Sequence, residues 1–248
     1  MKIRSILSAI GLAAFAVSAQ AGPPMGPIDP VPAPADDLGM TIAVGYDSSY
    51  IFRGVNYGDH LITGEVNYGT SLTDQLGLDL GVWYGSLADV DYDELNLLAA
   101  LSYDAGFATL SLGYTWYYFP RAGAGVSDST GEVVAGISRD FGFAELGLNY
   151  YYDHDVFEGH YIEAVASKTF AITDRLSLVP SVSIAYEVDY NTTTDGFSNV
   201  GLSLALPYAL SDRAVIAPYI AGNLPIDILE DAGVDDEVYG GVSLQVSF

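Results

Sequence analysis

Eight ionisable side chains lie in segments where roughly every second residue is apolar: Asp47, Arg53, Glu65, Asp79, Glu132, Glu145, Glu163 and Glu187. In an extended chain the two phases of such a pattern point to opposite faces, so these groups share a face with Ser49, Asn67, Asn149, Asp153 and Asp189. Carboxylates dominate that set. Where a low-dielectric wall surrounds them, they concentrate cations and discourage anions. Arg53 is the exception, and a fixed cation among carboxylates makes charge-assisted, bidentate hydrogen bonds; Glu65 on the next segment is its expected partner.

Two other groupings could do chemistry. Asp153-His154-Asp155, with His160 close behind, has the Asp–His pairing of a hydrolytic base, and His60 stands in an earlier connection. Catalysis also needs a positioned partner and a shielded site, and no serine stands out from the many in the chain. Asp89, Asp91, Asp93 and Glu94, and later Glu230, Asp231, Asp235, Asp236 and Glu237, are carboxylate clusters suited to hard cations. The first cluster lacks the glycine and full spacing of an EF-hand loop, and solvated surface charge is the reading, with weak divalent binding as the alternative. No cofactor or metal centre is expected.

Composition narrows the field. Acidic residues number 32 against 8 basic ones, a formal net charge of −24, which repels nucleic acid. Cysteine is absent, so disulfides and thiolate chemistry are excluded. Lys2 and Arg4, the apolar stretch from Ile6 to Val17 and the small-x-small site Ala19-Gln20-Ala21 predict a signal peptide over residues 1–21. Six prolines between residues 22 and 40 predict an extended periplasmic tail.

The remainder, 41–248, reads as one domain of strands. From Val238 the chain alternates apolar and polar residues to a terminal Phe248, about the length of one tilted membrane-spanning strand. Short polar turns recur at Thr73-Asp74-Gln75, Asp104-Ala105-Gly106, Asp140-Phe141-Gly142, Thr173-Asp174-Arg175 and Ser211-Asp212-Arg213. Longer connections lie near 54–60, 88–93, 120–129, 153–159, 189–197 and 226–236. This alternation predicts an all-β, transmembrane antiparallel barrel of about twelve strands, with ten as the alternative. The predicted strands are 41–53, 61–72, 76–87, 94–104, 107–119, 130–140, 143–153, 160–171, 175–188, 197–210, 214–225 and 237–248. Tyr84, Trp116, Tyr118, Tyr150, Tyr152 and Tyr186 come at the loop ends of apolar faces, as an aromatic girdle requires. Tyr103, Phe141, Phe143, Phe170, Tyr208 and Phe248 would form the other girdle. Pro218 inside the eleventh strand predicts a bulge there.

Tyr50-Ile51-Phe52-Arg53-Gly54 just inside the first strand, in a chain with an export signal and a closing barrel strand, resembles the TorF family of porins. The likeness rests on residues 44–58, after which Val55-Asn56-Tyr57-Gly58-Asp59-His60 departs from the Ser- and Pro-containing family pattern. It implies a passive pore in the outer membrane of a Gram-negative-type bacterium. The expected function is diffusion of small polar solutes, biased to cations or neutral ones, by a non-enzymatic protein. Its partners would be outer-membrane lipids and those solutes. A hydrolase at the barrel mouth and a structural or adhesive protein are the alternatives.

Overall fold

The computed structural model describes residues 38–123 and 125–248. The expected signal peptide, and the expected tail up to residue 37, lie outside the described residues. Twelve staves follow: β1 (Met40–Phe52), β2 (Val55–Ser71), β3 (Leu76–Leu87), β4 (Asp93–Asp104), β5 (Thr109–Tyr118) and β6 (Ser129–Asp140). Then come β7 (Glu145–Asp153), β8 (His160–Ser167, resuming at Phe170–Ala171) and β9 (Ser177–Val188). The last are β10 (Gly196–Ala205, resuming at Tyr208–Ala209), β11 (Ala214–Pro225) and β12 (Glu237–Ser247), with one helical turn, α1 (Ile228–Asp231), before β12. Each stave pairs antiparallel with its neighbours in the chain. β1 also pairs with β12, from Thr41↔Ser247 to Asp47↔Gly241, and this closes the sheet. Closure pairs every stave on both sides, the condition for a sheet to stand in lipid.

The outer face is the apolar phase of each strand. Leu112, Leu148, Leu202 and Val242 are exposed on it, and Tyr103, Phe141, Phe143, Phe170, Tyr208 and Phe248 ring its short-turn end. Arg139 lays its guanidinium over the Phe141 ring at 5.0 Å, and Lys168 Nζ donates to the Gly142 carbonyl, so both basic groups reach the girdle from their strands.

All five short turns are closed by their own side chains. Thr73 Oγ1 accepts from the Leu76 amide at 3.0 Å, and Thr173 Oγ1 does the same for Leu176. Asp104 and Asp140 accept from the Gly106 and Gly142 amides, and Ser211 from that of Arg213. Two strands are interrupted opposite a proline. Lys168-Thr169 breaks β8 where Pro180 lies across from it, and Leu206-Pro207 breaks β10 where Pro218 does. A proline has no N–H to give the ladder, so its neighbour loses a bond and leaves the sheet briefly. The irregularity expected at Pro218 therefore falls on the partner strand.

One connection differs from the sequence reading. No loop spans 54–60: β1 and β2 are joined by Arg53-Gly54 alone, and β2 begins at Val55. Both turn residues have positive φ, 50° and 82°, the pattern of a two-residue hairpin turn. The register slips between Ser49↔Asp59 and Ile51↔Asn56, and Gly58 and His60 also take positive φ. This bulge bends the hairpin. His60 thus lies in β2, in no loop.

Candidate functional site

The bent end of the β1–β2 hairpin turns into the bore. An alternating strand on the wall buries one phase, but Tyr50 and Ile51 are both buried, at 2% and 5% exposed. Tyr50 joins Leu61, Trp83 and Leu87, with Phe52, Tyr57 and Tyr92 against them. Ile51 packs on Ala221 and Tyr239 on the other side. The tip crosses to the far wall. There Arg53 Nη1 and Nη2 meet Glu132 Oε2 and Oε1, each at 2.6 Å, with the two side chains 6% and 1% exposed. The guanidinium lies 4.4–5.0 Å from the ring centres of Phe52, Tyr151, Tyr161 and Tyr190.

The tip backbone is held as well. Asn191 Nδ2 donates to the Arg53 carbonyl at 3.1 Å, and Asn223 Nδ2 to the Gly54 carbonyl at 2.9 Å. A Cβ on Gly54 would come within 2.9 Å of Leu229 and Asn199, so only glycine fits this close approach at positive φ. Arg53 and Glu132 meet inside the barrel, and Glu65 is not the partner of Arg53. Glu65 and Arg53 share one hairpin, and its inward bend carries the guanidinium away from that wall to the opposite one.

The other expected residues fall as follows. Asp47 accepts a hydrogen bond from the Tyr219 hydroxyl across the β1–β12 seam. Glu65 borders a small space with Asn67, Trp83 and Asn96. Asp79 and Glu145 are half-buried and alternate with exposed Leu80 and Leu146, which puts them on the inward phase toward the short-turn end. Glu163 alternates with exposed Ala164. Glu187 is fully buried and accepts from the Asn191 amide and side chain at 3.0 and 2.8 Å. The structure brings Arg53 and Glu132 into contact and ties Glu187 to the same tip through Asn191; the rest are spread along the wall.

The inner face also carries groups that the alternation of carboxylates does not reveal. Glu94, which the sequence places among the loop carboxylates, is buried and accepts from Tyr50 and Tyr92 hydroxyls at 2.6 Å each and from Asn96 at 2.7 Å. Tyr117, Tyr151 and Tyr161 share the polar phase of their strands, and an aromatic on that phase near a loop end is the signal that could have found them. For the hairpin, the unbroken apolar run Tyr50-Ile51-Phe52 is the signal, since a segment buried on both faces loses its alternation.

The clusters elsewhere resolve differently. Arg121 Nε donates to Asp93 Oδ2 at 2.5 Å and Nη1 to Asp91, clamping the 119–128 loop to the 88–92 loop. The two carboxylates hold the exposed guanidinium above its usual pKa. The Asp153 carboxylate accepts from Thr130 and from the amides of Asp155, Val156 and Phe157. His154 points away, to the Tyr114 hydroxyl at 3.1 Å, and His60 and His160 likewise meet Tyr46 and Tyr150 at 2.8 and 2.7 Å. The histidines belong to the outer aromatic belt, and the Asp153-His154 pairing of a hydrolytic base is not assembled.

Between the hairpin and the loops 88–92, 119–128 and 154–159 lies a cavity of about 300 Å³. Its wall is largely aromatic, from Tyr50, Phe52, Tyr57, Tyr117, Phe119 and Tyr190 among others, with Asp91, Asp93, Glu94 and Asp153 at its edges. Burial and the neighbouring Glu94 carboxylate push the Tyr92 phenol far above its usual pKa. Burial does the same for Tyr190, against the lowering effect of Arg53. Both rings therefore stay uncharged through neutral pH.

A closed twelve-stranded antiparallel barrel with an apolar, aromatic-girdled exterior is the architecture of outer-membrane porins. The chain belongs to the family described as "Bacterial protein of unknown function (Gcw_chp)", whose model matches residues 32–215. Among solved structures it resembles the COG4313 outer membrane channel from Pseudomonas putida F1, with 13% identity, TM-score 0.53, and 87% of this chain and 99% of that one covered. It also resembles the KdgM porin, at 11% identity and TM-score 0.52, covering 84% of this chain and 99% of that one. A second KdgM structure, in complex with disordered oligogalacturonate, matches at 9% identity and TM-score 0.52, with 84% and 99% covered. At these identities the likeness is one of fold. No curated protein matches the chain.

Proposed function

We propose that this protein is a porin-like outer-membrane barrel that passes small polar solutes by diffusion, favours cations and neutral solutes, and is narrowed at its long-loop end by the β1–β2 hairpin. The observation that carries this reading is the charge balance of the inner face. Asp47, Glu65, Asp79, Glu94, Glu163 and Glu187 lie there outside the ion pairs found among the described residues, and the guanidinium carried into the bore by the hairpin, Arg53, is neutralised by Glu132. Arg139 and Lys168 reach the outer girdle instead. A water-filled bore with such a wall has a negative potential. The same wall would repel a polyanion such as the oligogalacturonate of the KdgM complex. The resemblance to the TorF family of porins supports the same reading, as does the export signal expected at residues 1–21.

Single-channel recording in planar bilayers tests it. A salt gradient should give a reversal potential of cation sign, shrinking as salt shortens the Debye length from about 10 Å at 0.1 M. Replacing Glu145 and Glu163 together with Gln should lower the preference and leave the barrel folded. Folded protein that never conducts, or that prefers anions, overturns the reading.

A further inference from the structure

We infer that the aromatic cavity at the long-loop end is a binding site for a small organic cation with an apolar body, of the quaternary-ammonium type. The proposal deepens the cation-favouring reading above and rests on it for the site's meaning, while the pocket itself stands on geometry. Its wall includes the rings of Tyr57, Tyr92, Tyr117, Phe119, Phe157 and Tyr190, with Phe157 and Tyr190 stacked on each other at 4.7 Å, and aromatic rings attract cations. Around them stand four carboxylates, Asp91, Asp93, Glu94 and Asp153, against the single guanidinium of Arg121. The field inside is therefore negative, and the surface is apolar.

Other ligand classes fit less well. A hydrated inorganic cation needs several free oxygen ligands. Here Glu94 is engaged by Tyr50, Tyr92 and Asn96, and Asp153 by Thr130 and three backbone amides. A sugar would meet the same shortage, giving up its hydrogen bonds to water for few replacements. An anion is repelled. A trimethylammonium group asks for no hydrogen bond, only ring faces and a negative field. The protein already holds one weakly hydrated cation this way: Arg53 sits among four rings beside Glu132, and two of those rings, Phe52 and Tyr190, also line the cavity. The pocket lies at the long-loop end, where hairpin residues Tyr50, Phe52 and Tyr57 share its wall with residues of the loops.

Calorimetry on the folded full chain in a non-ionic detergent tests the site with four probes: benzyltrimethylammonium, the uncharged 3,3-dimethyl-1-butanol, benzenesulfonate and glucose. Benzyltrimethylammonium should bind at least tenfold tighter than each of the others. Phe119→Leu, in a loop, and Tyr92→Leu should each weaken it fivefold or more while the barrel keeps its heat-modifiable gel mobility. Equal binding of the uncharged probe, preference for glucose or the sulfonate, or unchanged affinity in both variants overturns the proposal. Conductance recorded on the same preparation separates the two readings. Cation-selective current without binding sinks only the pocket, and binding without current sinks only the pore.

Discussion

The two ends of this barrel are built by different means. At the short-turn end each reversal is closed within a few residues, by Thr73, Asp104, Asp140, Thr173 or Ser211, and only glycines take positive φ there. At the long-loop end lie the five non-glycine residues with positive φ among the described residues: Arg53, His60, Glu158, Asp189 and Asp227. There the hairpin is held by partners far along the chain, Glu132 at a separation of 79 residues and Asn223 at 169. One end is local and relaxed; the other stores backbone strain that only long-range contacts can hold. Strained backbone of this kind tends to gather where a protein acts.

The comparison is broken most severely at Arg53. Arg53→Ala leaves the Glu132 carboxylate buried without its counter-charge, a loss of about 3–5 kcal/mol. Because β1 and β2 remain paired below the bulge, the expected outcome is a hairpin released from the bore inside an intact barrel. Single-channel conductance should rise several-fold, and the hairpin should become open to protease. Replacing both partners, Arg53→Met with Glu132→Leu, should restore most of the stability. A variant with unchanged conductance and a protected hairpin would show that the ion pair does not hold the constriction.

A second test sets the outer face against the inner one. Leu112 is 59% exposed on the apolar phase of β5, where Leu112→Arg should cost about 2–4 kcal/mol near the bilayer midplane and reduce assembly. Asp79→Asn, on the inner phase, should leave urea midpoints in lipid vesicles nearly unchanged. Comparable losses in the two variants would reverse the face assignment. At the short-turn end, Gly106→Ala puts a Cβ into open space but at φ 78°, so backbone strain alone should cost about 1–2 kcal/mol in the same assay.

These tests also mark what the sequence made legible. Twelve staves, five short turns and the outward phase of each strand follow from period-two patterning and local turn chemistry, which depend on neighbours in the chain. The hairpin does not. Its inward bend depends on a bulge at Ser49–Ile51 and on Glu132, Asn191 and Asn223, none of which is near it in sequence. Arg53 is recognisable as an inward cation, but its partner can be chosen only by knowing that the strand leaves the wall. Glu94 reads as a loop charge because it directly follows Asp89, Asp91 and Asp93. In the fold it is the second residue of β4 and shares the inward phase with Asn96, a phase that the acidic run before it masks.

The smallest effect is expected where the long-loop end is least buried. Arg121 ties its loop to Asp91 and to Asp93 at the start of β4; its side chain is 51% exposed and that of Asp91 81%, and only Asp93, at 9%, is buried. Water and salt compete for such a clamp, and exposed ion pairs add little to global stability. Arg121→Ala should therefore leave the thermal midpoint unchanged while speeding protease cleavage in the 119–128 loop. High salt should produce the same faster cleavage in the parent protein and add nothing in the variant. A shifted midpoint would mean that the loops carry barrel stability, and the division between a locally closed end and a strained, long-range end would have to include them.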